Sequence, residues 1–148
     1  MNDESLLRET EIFLHQQIPI TAAMGVRIEA YDGTRLILAA PLALNHNHLG
    51  TGFGGSIAAL ATLAGYSFIW LELRDRACHV VVRESAISYL RPVRGELRAI
   101  CQRPPEAALA AFKKEFTRRG KARIQLAVTM ENEGAPAVEF SGMFVALR

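Results

Sequence analysis

Residues 53–73 read FGGSIAALATLAGYSFIWLEL, and the surroundings of this stretch decide the fold. From Leu36 to Leu71 the chain carries no Asp, Glu, Lys or Arg. A segment this long and apolar has two physical homes, a lipid bilayer or the inside of a protein. Gly54, Gly55, Ser56, Thr62, Gly65, Ser67 and several alanines keep its hydrophobicity moderate, and the flanking segments alternate apolar and polar residues as half-buried strands do. The pattern therefore predicts a buried central helix over Ser56–Leu73, not a membrane span. Because apolar residues fall on every side of it, other structure is expected to surround it. Ala58, Ala59, Ala61, Ala64 and Gly65 would let a sheet approach its axis.

On the N-terminal side, Leu6, Leu7, Thr10, Phe13 and Leu14 recur at helical spacing between Asp3 and Gln17, and Pro19 reads as the stop. Met24, Val26, Ile28 and Ala30 alternate with Gly25, Arg27, Glu29 and Tyr31, and Asp32-Gly33 supplies a tight hairpin turn. Leu36, Leu38 and Ala40 form the returning apolar face, and Asn45–Gly55 is a loop rich in Asn, His and Gly. On the C-terminal side, strands are predicted over Cys78–Leu90 and Glu96–Gln102. Pro104-Pro105 then opens an amphipathic helix carrying Leu109, Phe112 and Phe116 and ending at Gly120. Two further strands, Ala122–Met130 and Val138–Leu147, flank a turn at Asn132–Pro136. Strands grouped in this way, without a helix between each pair, predict one α+β domain with an antiparallel sheet.

A chain of 148 residues, 50% of them apolar, can bury a core of its own. Its 17 basic and 15 acidic residues leave a formal charge of +2, too balanced to predict nucleic-acid binding, so any anion site must be local. Cys78 and Cys101 could form one bridge, but they sit in strand-like surroundings and free buried thiols are expected. Met1 to Arg8 lacks the basic and apolar regions of a signal peptide, which makes a reducing cytoplasm the expected location.

Chemistry concentrates where the loop meets the helix, at Asn47-His48-Leu49-Gly50-Thr51-Gly52-Phe53-Gly54-Gly55-Ser56. The first N–H groups of a helix lack intrahelical partners and lie at the positive end of its dipole, which suits an oxygen gaining negative charge. Gly54 and Gly55 would leave that end sterically open. Read plainly, paired glycines make a tight turn into a helix; read as a site, they polarise a carbonyl and stabilise its oxyanion.

The run NHLGTGFGGS followed by IAALATLAGY resembles the signature of the hotdog thioesterase superfamily, and GTGFGGSIAALATLAGYSFIWLEL with SAISYLRPV downstream resembles the thioesterase-like C-terminal domain of YiiD-type proteins. The likeness spans nearly the whole chain. It implies a hotdog fold, an antiparallel sheet wrapped around a long apolar helix, and an acyl thioester carried by coenzyme A or acyl carrier protein as substrate. Asn47 takes the place of a loop Asn that contacts the thioester or positions water, and Gly54 and Gly55 take the oxyanion-contacting place. Two positions depart from the pattern: Phe53 stands where many hotdog hydrolases have His, and Thr62 where the helix usually offers Asp or Glu.

A base is still needed, since abstraction of a proton from water requires a basic group within hydrogen-bond reach. Thr62 would orient the water and Glu84, beside Ser85, is the candidate carboxylate. The plain readings are a Thr62 hydroxyl bonded to the carbonyl four residues earlier, a Glu84 facing solvent or paired with Arg83 or Arg91, and an Asn47 that caps its own loop. Ser85, Ile87 and Tyr89 share one face of their strand, Ala86, Ser88 and Leu90 the other. The resemblance puts this strand beside a dimer interface and the acyl tunnel; a plain sheet-core strand fits the pattern nearly as well.

His46, His48 and His79 lack a recognisable ligand spacing, so no metal is expected, and the resemblance calls for no cofactor. Ser56 sits in no Gly-x-Ser-x-Gly elbow and reads as a helix-start hydroxyl at the site's edge. Lys113, Lys114, Arg118, Arg119, Lys121 and Arg123 gather positive charge, either a solvated helix face or a docking patch for coenzyme A phosphates or an acidic carrier protein. The expected protein is thus a homodimer or dimer of dimers that hydrolyses an acyl thioester with Asn47, Gly55 and Thr62 as catalytic residues and Phe53, Gly54, Ser56, Glu84, Ser85 and Tyr89 at the substrate. The alternatives are a non-catalytic acyl-CoA-binding module and a 3-hydroxyacyl-thioester dehydratase.

Overall fold

The apolar stretch forms a 20-residue helix, α3 (Gly54–Leu73), in the computed structural model, which describes residues 3–148. Before it come α1 (Asp3–Gln17), α2 (Pro19–Met24), β1 (Arg27–Tyr31), β2 (Arg35–Ala40) and a single helical turn at Leu42–Leu44. After it come β3 (His79–Tyr89), β4 (Leu97–Gln102), α4 (Glu106–Arg119), β5 (Lys121–Asn132) and β6 (Ala135–Leu147). All six strands join one antiparallel sheet in the order β1-β2-β4-β5-β6-β3. The sheet wraps α3, which is the hotdog arrangement that the sequence resemblance implies.

α3 is long and apolar enough to cross a membrane, with a mean hydropathy of 1.4, but 61% of its most apolar window is buried inside the protein. Leu60, Ala61, Ala64, Phe68 and Ile69 face the sheet with almost no exposure. Gly65 is the point of closest approach: a Cβ there would lie 2.2 Å from Cζ of Phe144 on β6. One expectation needs correcting. The helix is not surrounded, because Ala58, Ala59, Thr62 and Tyr66 are half-buried and Gly55 is exposed along one stripe where the single curled sheet does not reach. Of the small residues, Ala61, Ala64 and Gly65 serve the sheet, and Ala58 and Ala59 belong to the open stripe.

Pro19 starts a helix instead of only ending one. It occupies the first turn of α2, where its missing N–H costs nothing, and Gly25 closes α2 in the left-handed region at φ 69°. Met24 therefore belongs to α2 and the first strand begins at Arg27. The β1–β2 turn is held by Asp32, whose Oδ1 accepts from the N–H groups of Thr34 and Arg35 at 2.8 and 3.0 Å. At the β5–β6 turn Glu133 and Gly134 both have positive φ, 52° and 78°, the geometry of a two-residue hairpin; Pro136 lies inside β6, beside the register shift at Met130/Glu131.

The two sheet edges differ. Along β1 the side chains of α1 act as a partner strand: Glu11 Oε1 accepts from the Ile28 N–H at 2.8 Å, and His15 Nε2 donates to the Val26 carbonyl at 2.6 Å. Along β3 no strand covers the outer side, and Arg83–Ala86, Ser88 and Tyr89 are exposed.

Cys78 and Cys101 are free and buried, and burial raises their thiols to about 11 and about 12, so neither is a nucleophile near neutral pH. At the C-terminal end of α3, Glu72 is a buried carboxylate with a side chain 4% exposed. It accepts from Arg103 at 2.8 Å, Lys113 at 2.9 Å and the Tyr31 hydroxyl.

Candidate functional site

The N-terminus of α3 is open. Phe53 is its N-cap with no side-chain cap, and the first intrahelical bond runs from Ile57 N–H to the Phe53 carbonyl at 2.9 Å. The N–H groups of Gly54, Gly55 and Ser56 thus begin the helix without intrahelical acceptors. Phe53 is 54% exposed and lies across Gly55, where a Cβ would stand 2.5 Å from the ring. Tyr89, 35 residues away, donates its hydroxyl to the Gly54 carbonyl at 3.1 Å and places its ring against Gly54. Phe53, Gly54, Gly55 and Tyr89 therefore share one mouth, with the half-buried Ser56 beside it.

The loop before the helix is folded back on itself by Asn47. Its Nδ2 donates to Thr51 Oγ1 at 2.9 Å and more weakly to the Gly52 carbonyl at 3.4 Å, while its Oδ1 accepts from the N–H groups of Leu49 and Thr51 at 2.9 and 3.1 Å. In this conformation the amide caps its loop. Gly52 N–H to the Val93 carbonyl at 2.8 Å and Phe53 N–H to the Asn45 carbonyl at 2.8 Å then fix where the helix starts. Asn47→Ala removes all the side-chain bonds of a half-buried loop and is expected to cost about 2 kcal/mol. Urea unfolding would check it; a loss below 0.5 kcal/mol on the order of surface substitutions would deny Asn47 its structural role.

Thr62 lies two turns further on, about 10 Å along the axis from Gly55, and its hydroxyl donates to the Ala58 carbonyl at 2.9 Å. It lines an apolar groove of 330 Å³ with Ile18, Ile20, Ala58, Ala59, Leu63 and Tyr66. Ile18 and Ile20 were not foreseen as site residues. The signal available was Pro19 followed by Gly25, the start and stop of a short helix that carries these isoleucines to the stripe.

Strand β3 sorts the remaining candidates by its pairing with β6. Val80, Val82, Ser85, Ile87 and Tyr89 pair with Ala146, Phe144, Gly142, Phe140 and Val138, the helix-facing side of β6, and the register shift between Val82 and Glu84 reconciles the two parities. Ser85 therefore faces the helix side. Glu84 pairs with Met143 and lines a shallow hollow of 340 Å³ with Ala86, Gln125 and Ser141 on the outer face of the sheet. The structure does not bring Glu84 to the mouth, because residues adjacent in a strand point to opposite faces. The strand is also more exposed than the two partly buried faces expected of it. His46, His48 and His79 join no group of three or more potential metal ligands among the described residues.

Solved structures show the same architecture. A protein of unknown function from Chlorobaculum tepidum is 37% identical, with 98% of this chain and 96% of that chain covered and a TM-score of 0.90. A "putative thioesterase" from Shewanella oneidensis is 27% identical over 98% and 99% of the two chains, TM-score 0.87. A Pseudomonas aeruginosa protein at 24% identity and TM-score 0.78, covering 95% and 94%, shares the fold. The model of the YiiD C-terminal family matches residues 7–148, so the helix mouth, the groove and the sheet all fall within the matched region, and the chain belongs to this family, described as "Putative thioesterase (yiiD_Cterm)".

Proposed function

We propose that the chain hydrolyses acyl thioesters, with the thioester carbonyl held at the N-terminus of α3 and the acyl chain along the open stripe. The observation that carries this reading is the uncapped helix start at Gly54-Gly55, one turn before the groove that Ala58, Ala59, Thr62 and Tyr66 line on the same helix. The Gly55 N–H stabilises the oxyanion as the carbonyl is attacked, and loss of such a donor typically costs about 3 kcal/mol of barrier. Phe53 and Tyr89 shield the reacting bond from bulk water, and Ser56 and Ser85 offer hydroxyls at the edges.

A second copy of the chain along the β3 edge completes the site. An unpaired edge recruits a strand, and a two-fold pair would set two α3 helices antiparallel with their open stripes facing. If they cross at Ala58 and Ala59, whose small side chains permit close approach, Thr62 of the partner subunit comes opposite Gly55, because the two positions are equally offset from the crossing. Thr62 then positions water at the thioester, a role it cannot fill for Gly55 of its own chain across about 10 Å.

The second reading, an acyl-thioester-binding module without turnover, is favoured by the place of Glu84, since no carboxylate stands on the open stripe. Thiol release from short-, medium-, long-chain and aromatic acyl-CoAs separates the two. Hydrolysis that falls at least tenfold in Gly55→Val and Thr62→Ala, with unchanged far-ultraviolet circular dichroism, is the expected result. Saturable binding of one thioester with no thiol release would replace the hydrolase by the binding module.

A further inference from the structure

On the outer face of the sheet, away from the helix mouth, β3, β5, β6 and the end of α4 enclose an open groove of 730 Å³. Its floor is apolar: Val81 on β3 stands opposite Val145 on β6, with Leu147 beside them. Its rim is cationic. Arg83, Lys121 and Arg123 are all exposed, and none of the three forms an ion pair among the described residues. Arg119 also lines the groove, and the carboxylate at this rim, Glu115, is shared between Arg118 and Arg119 at 2.9 Å each, so it is already neutralised. Elsewhere on the sheet Arg27 pairs with Glu96 and Arg98 with Glu29 at 2.5 Å, and Arg35 at the start of β2 stands alone among the described residues, so the groove is where unpaired cations gather.

We infer that this groove is a binding site for a nucleoside diphosphate, its phosphates held by Arg83, Lys121 and Arg123 and its base laid on the Val81–Val145 floor. Three converging free cations ask for more than one negative charge, which disfavours a single carboxylate. Guanidinium groups match phosphate oxygens two at a time. The volume falls in the range of small-ligand sites, and a concave apolar floor suits a flat ring rather than an acidic protein helix, whose side chains need a flat or convex cationic surface. Val81 lies eight residues, about 26 Å along the strand, from Tyr89 at the helix mouth, so this is a second site. It stands whether or not the chain hydrolyses thioesters.

Two sources share this chemistry, a free nucleotide such as ADP and the nucleotide tail of coenzyme A. Isothermal titration of the full chain with ADP, free coenzyme A, pantetheine and inorganic pyrophosphate reads the site directly. ADP and coenzyme A are expected to bind, more weakly as salt rises, with pantetheine silent and pyrophosphate weaker than either. Arg83→Gln and Arg123→Gln are each expected to weaken both ligands about tenfold, whereas Arg8→Gln on the exposed side of α1 leaves them unchanged; equal melting temperatures exclude misfolding. A KM for acyl-CoA that rises in the two groove variants, with the thioester of N-acetylcysteamine unaffected, names the coenzyme A tail as the source; an unchanged KM names the free nucleotide. Absence of ADP and coenzyme A binding, binding no tighter than pyrophosphate, or affinity unaltered in both groove variants overturns the inference, and none of these results touches thiol release.

Discussion

Glu72→Ala is expected to destabilise the protein by about 3 kcal/mol, the low end of what is lost when one member of a buried charge cluster is removed. The low end applies because Arg103 and Lys113, 25% and 39% exposed, recover some hydration once their partner is gone. Burial pushes the Glu72 carboxyl upward, but the hydrogen bonds from Tyr31, Lys113 and Arg103 outweigh it, and the net direction is below the usual carboxylate range. Burial, together with the Glu72 hydrogen bond, in turn raises the Tyr31 phenol. A carboxyl depressed in the folded state stabilises fully above its unfolded pKa of about 4.3 and loses that contribution as pH falls through the folded value. The gap between wild type and variant in urea unfolding should therefore be widest at neutral pH and shrink below about pH 4. A gap of the same size at both ends would assign the loss to packing instead of charge.

Gly65→Ala should be as damaging although it adds a single methyl group. Its Cβ would fall 2.2, 2.6 and 2.7 Å from three atoms of the Phe144 ring. That ring is fully buried, in edge contact with Tyr66 at 5.9 Å and tilted against Phe140 at 6.4 Å, and it crowds Gly142 on its own strand. It has nowhere to turn, so helix and sheet must separate. Overpacking of this kind costs about 3 kcal/mol, which for a chain of this size lowers the melting temperature by about 10 °C. Phe144→Leu in the same chain should restore part of the loss, so the double variant is less destabilised than the sum of the single ones by about 1 kcal/mol or more. Strict additivity would mean that the glycine is needed for some other reason.

The elements that were legible beforehand are those whose alternation is unbroken. β5 places Ala122, Ile124, Leu126, Val128 and Met130 inward without exception, and the sequence shows the same period. β3 is harder to read because its bulge lets Val80 and Val82 share a face with Ser85 and Ile87, an odd offset that no fixed period can express. Glu84 and Ser85, both expected at the substrate, are neighbours in one strand and so point to opposite faces, and the pairing with β6 shows which of them faces outward. Pro19 misled because proline is tolerated where a helix begins as well as just beyond where one ends, and Gly25 was the cue that decides between them. At the mouth, Gly54-Gly55 could be read from composition and position. The bond from Tyr89 to the Gly54 carbonyl joins residues 35 apart and follows from topology alone. The half-open stripe through Thr62 and Tyr66 could not be inferred from an apolar sequence, since the chemistry of a buried side and of a side awaiting a partner is the same.

The unequal edges of the sheet bear on how the chain can go wrong. Extended assemblies of β-sheet grow because each added unit presents a fresh edge at the far side, as a two-handed monomer lengthens a polymer. Here the far side is β1, where Glu11 and His15 already occupy Ile28 N–H and the Val26 carbonyl. Whatever strand β3 recruits, the next addition meets side chains in place of free backbone. The chain is one-handed at these two positions, and the edge opposite β3 is the poorer place for a further strand.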